Sequence, residues 1–310
     1  MIGKTLPYMR ESLCFLLKII LPHKDFFLKT LLFNVLSGKI KGRLFLNKRW
    51  TAMNIFKELY LYRAMIASLV KKDLKGRYKG SALGFLWTFI NPLLQLAVYT
   101  VVFQMILKNP MENYYMHLFV ALVPWIFFSS SLTTGSRAVL GQANMIKKIY
   151  FPREVMPISY ATSSFVNMLL SFIIIFIVLI ISPIKINPVT FIALPYVMIF
   201  QYMLVTGMTL ITSSLTVYLR DLEHIMSVLS MAWMYASPVV YPLNYIPERI
   251  QKYYLMNPMA PIIIAYRDIL FYGEFPEKKI LLLIAAESAV VLVIGFLIFG
   301  KLKKHFAEEL

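Results

Sequence analysis

The sequence predicts an all-α integral membrane protein with about six transmembrane helices, and two observations predict it. First, 59% of the 310 residues are hydrophobic and only 15% are charged, whereas soluble domains are nearer half apolar and a quarter charged. Second, the apolar excess is gathered into runs long enough to cross a bilayer, which takes roughly 20 residues. Six segments qualify: 83–107, 117–136, 155–182, 189–218, 225–241 and 280–300. The third holds an unbroken run from Phe172 to Ile181. The fifth is the weakest, being short and carrying Ser227, Ser230 and Ser237, so it reads as a span or as part of a re-entrant element.

Charge sets the orientation, because Lys and Arg concentrate in cytoplasmic segments. With the N-terminus inside, 25 of the 32 Lys and Arg fall on the inner side. Seventeen of these precede residue 81 and inflate the count; without them the balance is eight against seven. The run from Lys71 to Lys79, directly before the first span, is the strongest single determinant. Both termini are therefore expected to be cytoplasmic. The net charge of +17 points to anionic lipid headgroups rather than nucleic acid in a chain this apolar.

The segments between spans divide the chain. Residues 1–54 form a basic extension without an uninterrupted span, expected on the inner membrane surface. Their first 12 residues do not read as a signal peptide, since Pro7 and Arg10 interrupt the start. Residues 55–80 read as an amphipathic interface helix. Ile55, Leu59, Tyr62, Ile66, Leu69 and Val70 fall on one side, with Lys57, Glu58, Arg63, Lys71 and Lys72 on much of the rest. Residues 81–310 form the transmembrane domain.

The link between the second and third spans carries Lys147, Lys148, Tyr150, Phe151, Pro152, Arg153 and Glu154. Basic residues interleaved with aromatics suit a docking surface, and equally suit rings seated in the headgroup layer. The segment 242–279 is rich in proline, and 248–256 and 262–272 fit two short helices of a re-entrant hairpin or an extracytoplasmic cap.

Four ordered segments carry a family likeness. They are Leu69 to Leu94, Asn144 to Glu154, Tyr218 to His224 followed by Ser237 to Pro242, and Asn257-Pro258 with Tyr266-Arg267-Asp268. The chain from about residue 55 onward resembles type-2 ABC exporter permeases of the branch that exports O-antigen, capsular polysaccharide or teichoic acid. Residues 1–54 depart from that pattern. The resemblance implies a homodimeric channel in a bacterial or archaeal cytoplasmic membrane, with two copies of a separate ATPase beneath it. It places ATPase contacts on 57–79, including Arg63, Lys72 and Asp73, and on 145–154, and short gate helices before the last span. ATP and magnesium belong to the partner, and this chain binds no cofactor.

The residues agree with that division of labour. No P-loop is present, because the Gly upstream of Gly3-Lys4-Thr5 would precede the first residue. No H-E-x-x-H and no cysteine cluster supports a metal site; Cys14 is the one cysteine. Sugar rings pack their C–H faces on aromatic rings. Trp87, Tyr99, Phe103, Trp125, Phe128, Trp233, Tyr235 and Tyr241 are therefore candidates to line a glycan path, against the ordinary reading of belt and packing aromatics. The cargo implied by the resemblance is an undecaprenyl-type lipid-linked glycan. Lys75, Arg77 and Lys79 are candidates to attract its pyrophosphate, with anionic lipid headgroups as an equal alternative. Glu287 is the one carboxylate well inside a span, suited to a hydrogen bond between helices or to proton coupling. Three alternatives stand beside the exporter: a permease for a drug or lipid, a proton-driven secondary transporter, and a membrane glycosyl-transfer enzyme. The scattered carboxylates Asp73, Glu154, Asp221 and Glu223 argue against the enzyme.

Overall fold

The computed structural model describes residues 52–108, 110–184 and 187–310. Residues 58–310 form one compact unit, and the residues before Glu58 belong to a separate one. The basic extension before residue 52 lies outside the described residues. Every regular element among the described residues is helical.

The interface segment folds as α1 (Ala52–Leu61) and α2 (Arg63–Tyr78). The seam at Tyr62 is slight, since Tyr62 N–H still donates to Glu58 O and Ile66 N–H to Tyr62 O, at 3.1 and 3.0 Å. Gly80 then turns the chain with a φ of +84°, a left-handed conformation that costs glycine nothing. The first span, α3 (Gly84–Ile106), begins with a tight turn at Gly84–Leu86 and ends in a wide turn at Val101–Ile106. Pro92 sits inside it, so the carbonyl of Thr88 loses its usual N–H donor. The hydroxyl of Ser171, on α6 (Val155–Ile181), donates to that carbonyl at 3.3 Å.

The second span, α4 (Tyr114–Leu132), is apolar on all sides and is wrapped by the rest of the chain, as an all-round hydrophobic helix must be. A short helix, α5 (Ala143–Lys148), follows it. On α7 (Leu194–Tyr218), Thr206, Thr209, Thr212 and Thr216 return their hydroxyls to carbonyls one turn back at 2.7–2.9 Å, so none of these four hydroxyls is stranded in hydrocarbon. The last span, α11 (Lys278–Leu302), crosses α7 backbone to backbone at Gly207 and Gly295. A Cβ on Gly207 would stand 2.7 Å from Val291 O, and one on Gly295 would stand 2.6 Å from Gly207 O. Small residues permit this close helix contact in membranes.

Among the described residues, five helices are long and apolar enough to cross a membrane. The segment expected at 225–241 is different. Its helix, α8 (Leu222–Tyr235), has 14 residues and reaches about 21 Å at 1.5 Å per residue, after which residues 236–242 run without regular helix. Packing nevertheless requires the chain to traverse the bundle here. Val139, Phe151, Val155, Val217, Leu302 and Phe306 share one buried cluster, with Tyr62 and, from α2, Leu69 packed against it. The end of α7 and the end of α11 therefore lie at one end of the bundle. Since α11 starts at the other, α8 and the irregular stretch after it carry the chain across. Two short helices, α9 (Glu248–Tyr254) and α10 (Met259–Arg267), follow, the latter continuing into a wide turn at Asp268–Tyr272.

Candidate functional site

The link between α4 and α6 divides at Ile149. Lys147, Lys148, Ile149 and Tyr150 are exposed, Tyr150 at 96%. Beyond them the chain turns inward. Phe151 is buried among Val139, Met156, Val217 and Phe306, and Val155 N–H donates to Pro152 O at 3.1 Å as α6 begins. Glu154, 3% exposed, accepts from Lys303 Nζ at 2.5 Å. Arg153 donates to the backbone carbonyl of Lys303 and stands 5.8 Å from the Phe306 ring centre. Phe151, Arg153 and Glu154 are therefore not part of an open docking patch. They fix the exposed tip to the end of α11 and the chain beyond it. The sequence reading missed Lys303 and Phe306, because nothing near them in sequence marks them; the contact spans 149 residues.

Helix α2 is held by a polar anchor. Arg77 Nε pairs with Asp73 Oδ2 at 2.8 Å, and its Nη2 donates to Ser163 and Ser164 on α6 at 3.3 and 3.0 Å. Ser163 in turn donates to Asp73 at 2.5 Å. Asp73 and Arg77, expected at an ATPase contact and at a pyrophosphate entry, are thus engaged within the chain. Lys72, Lys75 and Lys79 remain exposed. Arg63 is also exposed, its guanidinium 4.4 Å above the Tyr60 ring centre.

The candidate glycan-path aromatics separate sharply. Trp125 and Phe128 are 4% and 0% exposed, packed on each other and, through Phe128, on Trp233. They belong to the core because α4 is enclosed on all sides. Tyr99 and Phe103 lie against the same core, and the Tyr99 hydroxyl donates to Met234 Sδ at 3.5 Å. Trp87 is half-buried and donates to Ser81 Oγ at 2.8 Å. Tyr235 is exposed. Its carbonyl accepts from the Tyr241 hydroxyl, which is also 2.8 Å from that of Tyr254.

At the opposite end from Tyr150, the irregular stretch after α8 is held by two side chains. Asn257 accepts from Trp233 Nε1 at 2.8 Å and donates to Ala236 O and Ser237 Oγ at 2.9 and 2.8 Å. Arg267, 3% exposed, donates to Val239 O, Tyr241 O and His117 O at 2.7, 3.1 and 3.3 Å. Irregular backbone in a low-dielectric setting needs such partners. Burial lowers Arg267 to about 10, which leaves it cationic. Both residues lie in segments that carry the family likeness, but sequence alone gave them no role. Next to Arg267, burial and then the nearby Glu274 and Glu277 push Asp268 up to about 6.

Glu287 is half-buried on α11, and its Oε2 has no hydrogen-bond partner among the described residues. The expected bond between helices is not made by that oxygen. Among the described residues no three metal-ligating side chains gather.

Comparison with known proteins follows this geometry closely. The family model for the ABC-2 type transporter matches residues 65–271, from α2 through the turn after α10. The O-antigen export system permease protein RfbA of Myxococcus xanthus is 34% identical over 260 residues, covering 83% of this chain and all of that protein. The protein of the same name from Klebsiella pneumoniae is 33% identical over 251 residues, covering 81% of this chain and 96% of its own. The polysialic acid transport protein KpsM of Escherichia coli is 21% identical over 243 residues, covering 76% and 93%. With five helices among the described residues long and apolar enough to cross a membrane, and a family match over most of its length, the chain is a multi-pass membrane protein and belongs to the ABC-2 type transporter family.

Proposed function

We propose that this chain is the membrane permease of an ATP-driven exporter that moves a lipid-linked polysaccharide across the cytoplasmic membrane. Its relatives by name export O-antigen and transport polysialic acid. The observation that carries the mechanism is the exposed Tyr150 tip on a loop clamped from within through Phe151, Arg153 and Glu154. A partner ATPase pressing on Lys147, Lys148 and Tyr150 would move α6 and α11 together, because Glu154 and Lys303 join them. Lys72 of α2 extends the same contact. ATP and magnesium act on the partner, and this chain supplies the moving walls. The Tyr150 end is the cytoplasmic end, with both termini on that side.

A second copy of the chain completes the path. Helix α3 is largely uncovered by its own chain, and Asn91 and Gln95 project from it one turn apart, exposed. A carboxamide facing hydrocarbon is costly, and a wet channel or a facing protomer satisfies it. Val228, Met231 and Tyr235 on α8 are exposed as well. Of the candidate aromatics, this reading favours Trp87 and Tyr235 for contact with a glycan, since neither packs against the buried core.

Deletion of this chain in its native host tests the function. Surface polysaccharide disappears and its lipid-linked precursor accumulates inside the cell. Intact surface polysaccharide together with altered tolerance to a small amphiphile would reassign the cargo.

A further inference from the structure

A groove of about 490 Å³ runs between α2 and α6. Its floor is Ile66, Ala67, Val70 and Leu74 of α2 with Thr162 of α6. Three cations border it, Arg63 at one end and Lys71 and Lys75 along one side. All three are exposed, and neither lysine makes an ion pair among the described residues.

The groove opens onto a continuous apolar ridge. From Thr162, the positions Leu169, Ile173, Ile177 and Ile180 recur at helical spacing up α6, at 40%, 50%, 51% and 74% exposure. A ridge of this length on a membrane-crossing helix contacts acyl chains. Its base meets the three cations.

We infer that this groove is a binding site for an anionic phospholipid of the cytoplasmic leaflet, with its phosphate on Lys71 and Lys75, neighbours one helical turn apart, and an acyl chain laid along the α6 ridge. Charge and shape select this occupant. The cations fit a phosphate near the membrane surface, and the floor has no polar group to read a sugar. The one floor hydroxyl, Thr162 Oγ1, already donates to Ile158 O at 2.7 Å and lies 2.8 Å from the Tyr202 hydroxyl. A lipid-linked glycan would find nothing here that recognises its sugars. The site is separate from the export path and does not depend on what the cargo is. A bound lipid would steady α2 against α6 alongside the Asp73–Arg77 anchor.

Native mass spectrometry of the full-length protein, released from micelles holding equimolar phosphatidylglycerol and phosphatidylcholine, tests the inference. The wild-type chain retains phosphatidylglycerol preferentially. Lys71→Gln with Lys75→Gln lowers that retention roughly tenfold or more. The matched double change Lys278→Gln with Lys279→Gln, at the far end of the bundle, leaves it unchanged. Val70→Trp fills the groove with every charge kept and also lowers retention. If that variant does not fold, the exposed lysine pairs still decide. Equal phosphatidylglycerol retention in the two lysine doubles would overturn the site. So would displacement of phosphatidylglycerol by an equimolar polyprenyl-pyrophosphate glycan, which would make the groove a cargo site.

Discussion

Lys303 Nζ lies 2.5 Å from Glu154 Oε1, joining the start of α6 to the end of α11 beneath the exposed tip of Tyr150. The two stand 149 positions apart in sequence, so this contact ties the start of the third membrane-crossing helix to the end of the last one. Removing one member strands the other. Lys303→Met is expected to destabilise the protein by about 1–3 kcal/mol, below the fully buried case because the lysine side chain is 27% exposed. It also weakens the link from tip to span. Thermal unfolding in detergent checks the first effect, and the ratio of glycan exported to ATP hydrolysed checks the second. An unchanged ratio would remove the clamp from the mechanism.

The crossing of α7 and α11 has no room for a side chain. Gly207→Ala places a methyl group against Val291 O and the Leu292 backbone, which cannot rotate away as a side-chain tip could. The expected loss is about 1–3 kcal/mol. Gly141→Ala, where nothing lies within 4 Å, is the matched control and leaves the unfolding temperature near the wild type.

Arg267 satisfies three carbonyls on two different elements. Arg267→Met leaves them without that donor in a dry setting, an expected cost of about 2–5 kcal/mol. Arg267→Lys keeps the charge but not the guanidinium fork and falls between. Limited proteolysis reports it directly, with faster cleavage in the segment 239–258 for Met than for Lys.

At the end of the bundle opposite Tyr150, the burial of Asp268 sets the sign of a pH dependence. Its carboxyl is raised from 3.8 to about 6, so the folded state binds the proton more tightly than the unfolded chain. Its contribution is present below about pH 4 and is lost as pH rises through about 6. Asp268→Asn flattens the unfolding temperature over that interval, and a variant that keeps the wild-type slope would assign it to another group.

Much of this organisation is legible in sequence because lipid imposes a simple rule. A run such as Phe172 to Ile181 has one stable home, and the Lys71–Lys79 cluster marks the membrane edge before the first span. The 225–241 segment reads as a span or as part of a re-entrant element and no further, because hydropathy does not register where a helix stops. That depends on Asn257 and Arg267, which hold the backbone from 20 to 30 residues away in sequence. The docking loop was found by its composition but not divided. Tyr150 and Phe151 are neighbours of similar chemistry, and only the packing of Val139, Val217 and Phe306 decides that one is outside and the other inside. The same limit governs Trp125 and Phe128, whose burial follows from helices on every side of α4 and not from their own identity.

The most direct measurement is affinity purification of the full chain from its native membranes in mild detergent, wild type beside Lys147→Glu, Lys148→Glu, Tyr150→Ala. These three side chains are exposed and support no internal contact described above, so the variant keeps the wild-type unfolding temperature. The account predicts that a stoichiometric P-loop subunit co-purifies with the wild-type chain and is lost from the variant. Recovery of the wild-type chain alone, or of the same subunit with both, would contradict it.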